Sequence, residues 1–419
     1  MQCWAGERRM RIFRFFITQV FLRKWLFVLG IMILLLLANF LTFTTARSII
    51  STYQGYQQIE AINQEDIFMA NLDPNSTTDF NQIELEDSRE IYEYLDANYD
   101  YALHVEGFVV ELDNPYDMEV TFNYMNEAFY EIKSLALSQG NDLYFDYTFN
   151  QDNIPVLIGE GLATTYPVGT TITTTDPVTQ QLVNLKVQGV LEKNTYYVNF
   201  YAPNSKNYFN FSIFVPINKT FIQQASLNLY INGLMEVILV NSTKDEAEQL
   251  KELIDKDLQI AINFFTQQEN FHYFEEQYTN SIIIISIVTI ILLIIIVCLM
   301  VWQTLMSIRV MIKDFAIHIL VGLSPLKLRR IFYSYFTLLF FVNIILLFII
   351  TACYRYDFWK HKEALAVTYG IFGLVSMDWY ALLTVICVDF IIGVLMVEII
   401  MKRVRSRTIS MGDQNEKYN

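Results

Sequence analysis

Four apolar stretches, each near or above the ~20 residues that cross a ~30 Å hydrocarbon core, constrain this 419-residue chain more than any other feature. They lie at about residues 25–46, 281–305, 331–353 and 379–401. Each is almost free of charge and far longer than a buried strand, so the sequence predicts four transmembrane helices. The first exceeds a ~7 to 15 residue signal-peptide core, and no small-x-small cleavage site follows it, so it is expected to remain in the protein.

Lys and Arg placement predicts the orientation. Residues 1–24 carry Arg8, Arg9, Arg11, Arg14, Arg23 and Lys24, interleaved with Phe13, Phe15 and Phe16, as in an amphipathic helix at the inner membrane face. The segment 306–330 carries Arg309, Lys313, Lys327, Arg329 and Arg330, and the tail 402–419 carries Lys402, Arg403, Arg405 and Arg407. All three are expected in the cytoplasm, with both termini. Residues 47–280 and the short loop 354–378 then fall outside. Residues 47–280 hold 35 acids against 10 bases, net −25, whereas the rest of the chain is +10. The acidity therefore belongs to the outer domain, which argues against a nucleic-acid partner because phosphate binding needs a basic face. The cysteines, Cys3, Cys298, Cys353 and Cys387, leave the outer domain without any. No disulfide framework arises there, which is compatible with a bacterial surface.

The outer domain reads as α+β. Its pattern predicts a helix over 87–99, a strand over 101–112, a turn at Asn114 and Pro115, a helix over 117–137 ended by Gly140, and a strand over 143–149. A Gly- and Thr-rich section at about 154–195, with β-forming runs at 154–158 and 182–191, reads as a small all-β insert. It is not a phosphate-cradling loop, since no GxxxxGK[ST] occurs in the chain. Strands are expected at 208–217 and 234–241, separated by a helix with Thr220 as N-cap. An amphipathic helix is expected over 244–265, with Ala247, Leu250, Leu253, Ile254, Leu258 and Ile262 on one stripe.

Between the second and third apolar runs, the stretch from Met306 to Phe336 reads as helix, stop, helix. Apolar residues at Ile308, Met311, Ile312, Phe315, Ile319 and Leu320 have helical spacing, with Arg309, Lys313 and Asp314 on other faces. Gly322 suits a left-handed cap, Ser324 an N-cap and Pro325 a first helical position. In the fourth span Asp389 stands out, because an intramembrane carboxylate is costly; Asn343 in the third span and Asn39 in the first are candidate partners. A protonated or hydrogen-bonded aspartate that fixes helix packing beside Gly393 is the favoured reading over a proton path. The four histidines, His104, His272, His318 and His361, lack metal-ligand spacing, and Ser and Asp fall in no nucleophile motif. Neither a metal site, a catalytic set nor an enzyme activity of this chain alone is expected.

The order of one span, a large outer α+β domain and three further spans resembles the permease subunits of MacB/FtsX-type ABC transporters. Two segments carry the likeness. IPVLIGEGLATTYPVGTTI followed by LKVQGVL resembles the permease pattern of an apolar strand ending in Gly, a helical turn, a Gly turn and a closing V-x-G-V-L strand. KDFAIHILVGLSPLKLRR resembles the family's cytoplasmic segment before the third span. The resemblance implies a multi-pass cell-membrane protein that pairs with a second permease copy or paralogue, contacts membrane lipid and works with cytoplasmic ABC ATPase subunits. ATP and Mg2+ would sit on those ATPases, with no cofactor bound by this chain. It further implies that ATP-driven motion passes through the segment holding Arg309, Lys313, Asp314, Gly322, Ser324 and Pro325 to the outer domain. There a peptide, lipid-linked or hydrophobic substrate would be exported. The alternative is an FtsX-like transducer that activates an extracellular hydrolase or sensor partner without transport.

Overall fold

The computed structural model describes Thr18 and residues 25–416 apart from 61, 74, 77, 134, 200–201 and 321–322; the side chains at 199, 277, 308, 310–320 and 405–416 also lie outside the description. The amphipathic helix expected over residues 1–24 falls outside the described residues. The chain divides into two compact units, one of Met1–Ile50, Ile282–Cys353 and Ser376–Asn419, the other of Ser51–Ser281 and Tyr354–Val375.

Along the chain, the long helix α1 (Trp25–Glu60) leads to β1 (Phe68–Leu72), α2 (Leu85–Asn98), β2 (Asp100–Ala102), β3 (His104–Val110), β4 (Val120–Met125), α3 (Glu127–Ile132) and β5 (Leu137–Gly140). Then come β6 (Ile154–Ile158), β7 (Thr171–Thr175), β8 (Leu182–Leu191), β9 (Tyr196–Asn199), β10 (Ala202–Tyr208) and β11 (Ser212–Pro216). They are followed by α4 (Lys219–Ile222), α5 (Leu227–Met235), β12 (Ile238–Val240), α6 (Lys244–Leu258), β13 (Ile262–Phe265) and α7 (Gln267–Phe274). A π-helical turn, Glu275–Thr279, joins α7 to α8 (Asn280–Leu320), and α9 (Pro325–Lys360) and α10 (Ser376–Glu416) follow.

In the first unit, α1, α8, α9 and α10 each contain a stretch long and apolar enough to cross a membrane. Leu35 and Ala38 of α1, Met300 of α8, Phe332 of α9, and Met396 and Val397 of α10 are buried together in its core. A methyl on Gly393 would lie 2.7 Å from the Phe340 ring, so the missing side chain lets α9 and α10 approach closely. The sequence reading placed a separate amphipathic helix after residue 306. Instead α8 runs unbroken from Asn280 to Leu320, because no helix breaker interrupts it before Gly322.

The second unit is built on a mixed sheet in the order β3-β4-β11-β6-β8-β5, with β7 also on β8. β4 runs parallel to β11 and β6 parallel to β8, while the other pairs are antiparallel. Every residue of β4, β6 and β11 is buried. Val120, Phe122 and Tyr124 face one apolar cluster, while Met125, Leu157 and Phe214 face another. A second sheet has the order β13-β1-β12-β2, and β9 and β10 form a separate hairpin.

This architecture corrects several expectations. The stretch 117–137 is no helix: its VTFNYM core is a central strand of β-forming residues, packed on both faces, and only Glu127–Ile132 is helical. Residues 143–149 form no strand, since Asn218 Nδ2 donates to the carbonyls of Phe145 and Tyr147 at 3.0 and 2.7 Å in place of a neighbouring strand. The section 154–195 is not an insert, because β6 and β8 lie inside the main sheet. Asn218, not Thr220, caps the helix that follows β11, accepting from Phe221 N at 3.1 Å. The helix starting at Lys244, held by a Thr243–Glu246 capping box, ends at Leu258 because Gln259 turns left-handed; Ile262 then pairs with Leu72 in β13.

Candidate functional site

The residues singled out between the second and third spans fall at the end of α8 and the start of α9. Arg309 is exposed on α8, its guanidinium 3.9 Å from Met306 Sδ. Lys313 and Asp314 lie within the same helix, but their side chains, and all of Gly322, are outside the described residues. Pro325 opens α9, and the Ser324 carbonyl accepts the amides of Lys327 and Leu328 at 3.0 and 3.1 Å. Further along, Arg329 of α9 is paired with Glu398 of α10, a contact that charge counting along the sequence did not single out.

Within the span unit, Asn39 Nδ2 donates to Asp389 Oδ2 at 3.1 Å, and both residues are at most 2% exposed. Asp389 Oδ1 and Asn39 Oδ1 have no hydrogen-bond partner among the described residues. Asn343 is not the partner: its Nδ2 is directed to the Leu339 carbonyl at 2.9 Å and to Met32 Sδ at 3.1 Å. The bond thus joins the first and fourth span helices, α1 and α10.

In the sheet unit, the link between α9 and α10 is no free loop. Residues 354–375 form a strap bound into this unit by its own backbone. Tyr208 N donates to the Leu365 carbonyl at 2.8 Å. Asn210 Nδ2 donates to the Val367 carbonyl at 2.9 Å, and Asn194 grips Tyr369 on both sides, Nδ2 to the carbonyl and Oδ1 from the amide, each at 2.6 Å. The two asparagines also bond one another, with Asn194 N donating to Asn210 Oδ1 at 3.0 Å. Trp359 packs edge-on against Tyr116 and Phe211 at 5.1 and 5.8 Å, and Lys362 pairs with Asp117.

What seats Asn210 is a glycine step visible in the sequence. After β6, Gly159 N and Gly161 N donate to the carbonyls of Ser212 and Asn210, each at 2.8 Å. A Cβ on Gly159 would come within 2.0 Å of the Phe209 carbonyl, so only glycine permits this approach. The Gly-Glu-Gly pattern therefore carries a structural signal for the strap's seat. Nothing in residues 354–375 themselves announced it, since they are bound largely through backbone groups.

Beside this clamp lies a cavity of about 420 Å3 lined by Gln58, Lys133, Glu192, Asn194, Tyr196 and Tyr197 among others. Lys133, nine-tenths buried, ends α3 and holds its ammonium 5.0 Å from the Tyr197 ring centre; burial pulls its pKa down to about 8. Close by, His104 stacks on Phe129 at 4.7 Å, and burial, reinforced by the Lys133 charge, pushes its pKa down to about 3. Its Nε2 has no hydrogen-bond partner among the described residues. Among the described residues no group of three His, Cys, Asp or Glu is placed to hold a metal ion.

Comparison with protein-family models finds no match, and comparison with curated proteins finds none either. Among solved structures the chain is similar to the periplasmic region of MacB from Actinobacillus actinomycetemcomitans, at 14% identity and a TM-score of 0.31, covering 52% of this chain and 95% of that one. It is also similar to the extracellular domain of the noncanonic ABC-type transporter YknZ from Gram-positive bacteria, at 14% identity and a TM-score of 0.30, covering 48% and 100%. Likeness this low carries no argument, and the functional reading rests on the chain's own residues.

Proposed function

We propose that the chain is the permease subunit of a MacB/FtsX-type ABC transporter, and that it passes ATP-driven motion of a separate cytoplasmic ATPase to an outer sheet unit. The observation that carries this reading is the route of the chain. α8 continues from its second-span stretch to Leu320, past Arg309, Lys313 and Asp314, while residues 354–375, the end of α9 and its link to α10, are bound into the sheet unit. With the basic segments inside, a movement at the Arg309–Pro325 end of α8 and α9 would reach the sheet unit through α8 and through the strap. The two segments that resemble the family fall at the two ends of this route, one at Lys313–Arg330 and one at the Gly159–Gly161 step that seats the strap.

ATP shifts the outer unit only if the ATPase contacts differ between two states of the spans. Arg309, Lys313, Asp314, Gly322, Ser324 and Pro325 are the residues proposed to make or shape that contact. A second permease copy or paralogue completes the assembly, and export of a peptide, lipid-linked or hydrophobic substrate is its output. The test is purification from the native membrane with identification of co-purifying chains. An ABC ATPase recovered in stoichiometric amount supports the proposal, and its consistent absence from gently solubilised material overturns it.

A further inference from the structure

Near the end of the strap, Ile371 and Phe372 are 66% and 68% exposed. They stand at the apex of a single 3-10 turn, Ile371–Gly373. Gly373 N donates to the Gly370 carbonyl at 3.1 Å, Leu374 N to the Ile371 carbonyl at 3.2 Å, and Thr368 Oγ1 to the Gly373 carbonyl at 2.6 Å. Leu374 and Val375, which follow directly, are buried. The apex is strained as well as exposed. Phe372 has φ 54° and ψ 32°, a left-handed conformation that bulky residues rarely adopt. Gly or Asn would hold the same turn at lower cost, so the backbone does not call for an aromatic ring here. A strained apolar residue kept at an exposed apex points to a role outside the fold.

Height, charge and neighbours identify what meets this tip. A Cβ on Gly373 would lie 3.1 Å from Arg355 Cβ, so the turn rests against α9 at that residue. Arg355 is two residues, ~3 Å along the axis, past Cys353, where the third apolar stretch ends. That height falls within the headgroup layer, roughly 5–7 Å thick on each side of the hydrocarbon core. No Asp, Glu, Lys or Arg occurs from Ala364 to Met377. Exposed aromatic residues mark the adjoining ends of both flanking helices, Tyr354 and Tyr356 on α9 and Trp379 and Tyr380 on α10, as in the belts found at membrane–water interfaces. We propose that Ile371 and Phe372 insert into the interfacial layer of the bilayer at the outer end of the third span and anchor the strap to lipid. This goes beyond the permease reading: it needs the helices to cross a membrane, but no ATPase. The apolar pair enters the boundary between headgroups and acyl chains, as the apolar face of an interfacial helix does. The strap then bridges a lipid contact at its tip and the grip of Asn194 and Asn210 on its backbone.

The full-length chain, with its four cysteines replaced by serine, is given one nitroxide at a time, at Ile371→Cys, at Phe372→Cys or, as a water-side reference, at Leu182→Cys, an exposed position on β8. Power-saturation EPR in nanodiscs of phosphatidylcholine and phosphatidylglycerol compares collision with oxygen, which partitions into lipid, and with a nickel chelate, which stays in water. Oxygen should dominate at 371 and 372, and the nickel chelate at 182. Nickel access at 371 and 372 matching that at 182 overturns the proposal. Exclusion of both reagents overturns it too, showing a protein contact in place of lipid. Ile371→Ser, which needs no labelling, tests the anchoring. At a position this exposed the change leaves the strap untouched if the tip faces water. Inserted in lipid, the tip loses its hold, and hydrogen exchange over residues 361–375 should quicken roughly three- to tenfold, taking half the value of a fully buried side chain. Unchanged exchange overturns the anchoring. Neither readout involves the ATPase, so its co-purification tests the permease reading separately.

Discussion

Asn194 is the place to weaken the strap without disturbing the sheet. It adopts a left-handed conformation with φ 61°, so Asn194→Gly keeps that backbone accessible while removing the side chain. Lost with it are two 2.6 Å bonds to Tyr369 and the 3.2 Å bond from Asn210 Nδ2. At about 1 kcal/mol for each neutral bond, the strap loses about 2 to 3 kcal/mol of local stability. At 1.4 kcal/mol per tenfold, its opening equilibrium should rise by roughly 30- to 150-fold. Strap amides whose exchange proceeds by local opening should speed up by that factor in hydrogen-exchange mass spectrometry, with β4, β6 and β11 protected as in the parent. Unchanged exchange over 361–375 in a folded variant would refute the view that Asn194 holds the strap.

Other outcomes follow from the same geometry. The His104 pKa is depressed from 6.5 to about 3, so its stabilising contribution is complete above pH 6.5 and fades as pH falls toward 3. His104→Phe, which retains stacking on Phe129, should flatten the acid limb of an unfolding free energy against pH profile by up to about 1 kcal/mol per pH unit; superimposable profiles would count against it. Asp176 is fully buried and accepts from Tyr124 Oη at 2.8 Å, Val178 N at 3.0 Å and Thr179 N at 2.7 Å. Asp176→Ala strands those donors and should destabilise the sheet unit by about 3 kcal/mol in chemical denaturation, a loss under 1 kcal/mol showing that the turn repairs itself. If Asp389 only fixes the packing of α1 on α10, Asp389→Asn should leave activity near the parent's, whereas Asp389→Leu, which strands Asn39, should lose about 1 kcal/mol of stability. An Asn variant that is abundant, folded and inactive would point to a proton path instead.

The parts of this molecule most legible from sequence are those whose cause is local. Spans declare themselves by length and hydropathy, and α6 by Thr243 and Glu246 at capping-box spacing. β6 and β8 lie on runs of β-formers bounded by turns. β4 was illegible as a strand because burial on both faces removes the alternation that marks a half-buried one, and acidic residues on either side imitate a helical stripe. The end of α6 was misplaced because Gln259, not a glycine, takes the left-handed position. The strap was hidden for a different reason. Its partners Asn194, Tyr208 and Asn210 lie more than a hundred residues away and bind carbonyls and an amide, groups every residue carries. Asp389 was legible as costly, but the choice of Asn39 over Asn343 depends on helix rotation, which hydropathy does not specify.

The central claim is that nucleotide state on a partner ATPase reaches the sheet unit through the spans. It is tested most directly by hydrogen exchange over residues 361–375 in the complex purified from native membrane, compared without nucleotide and with ATP trapped on a hydrolysis-deficient ATPase. The account predicts that strap exchange changes between the two states, and that the difference disappears in Asn194→Gly. Identical exchange in both states, in a complex shown to bind ATP, would contradict it.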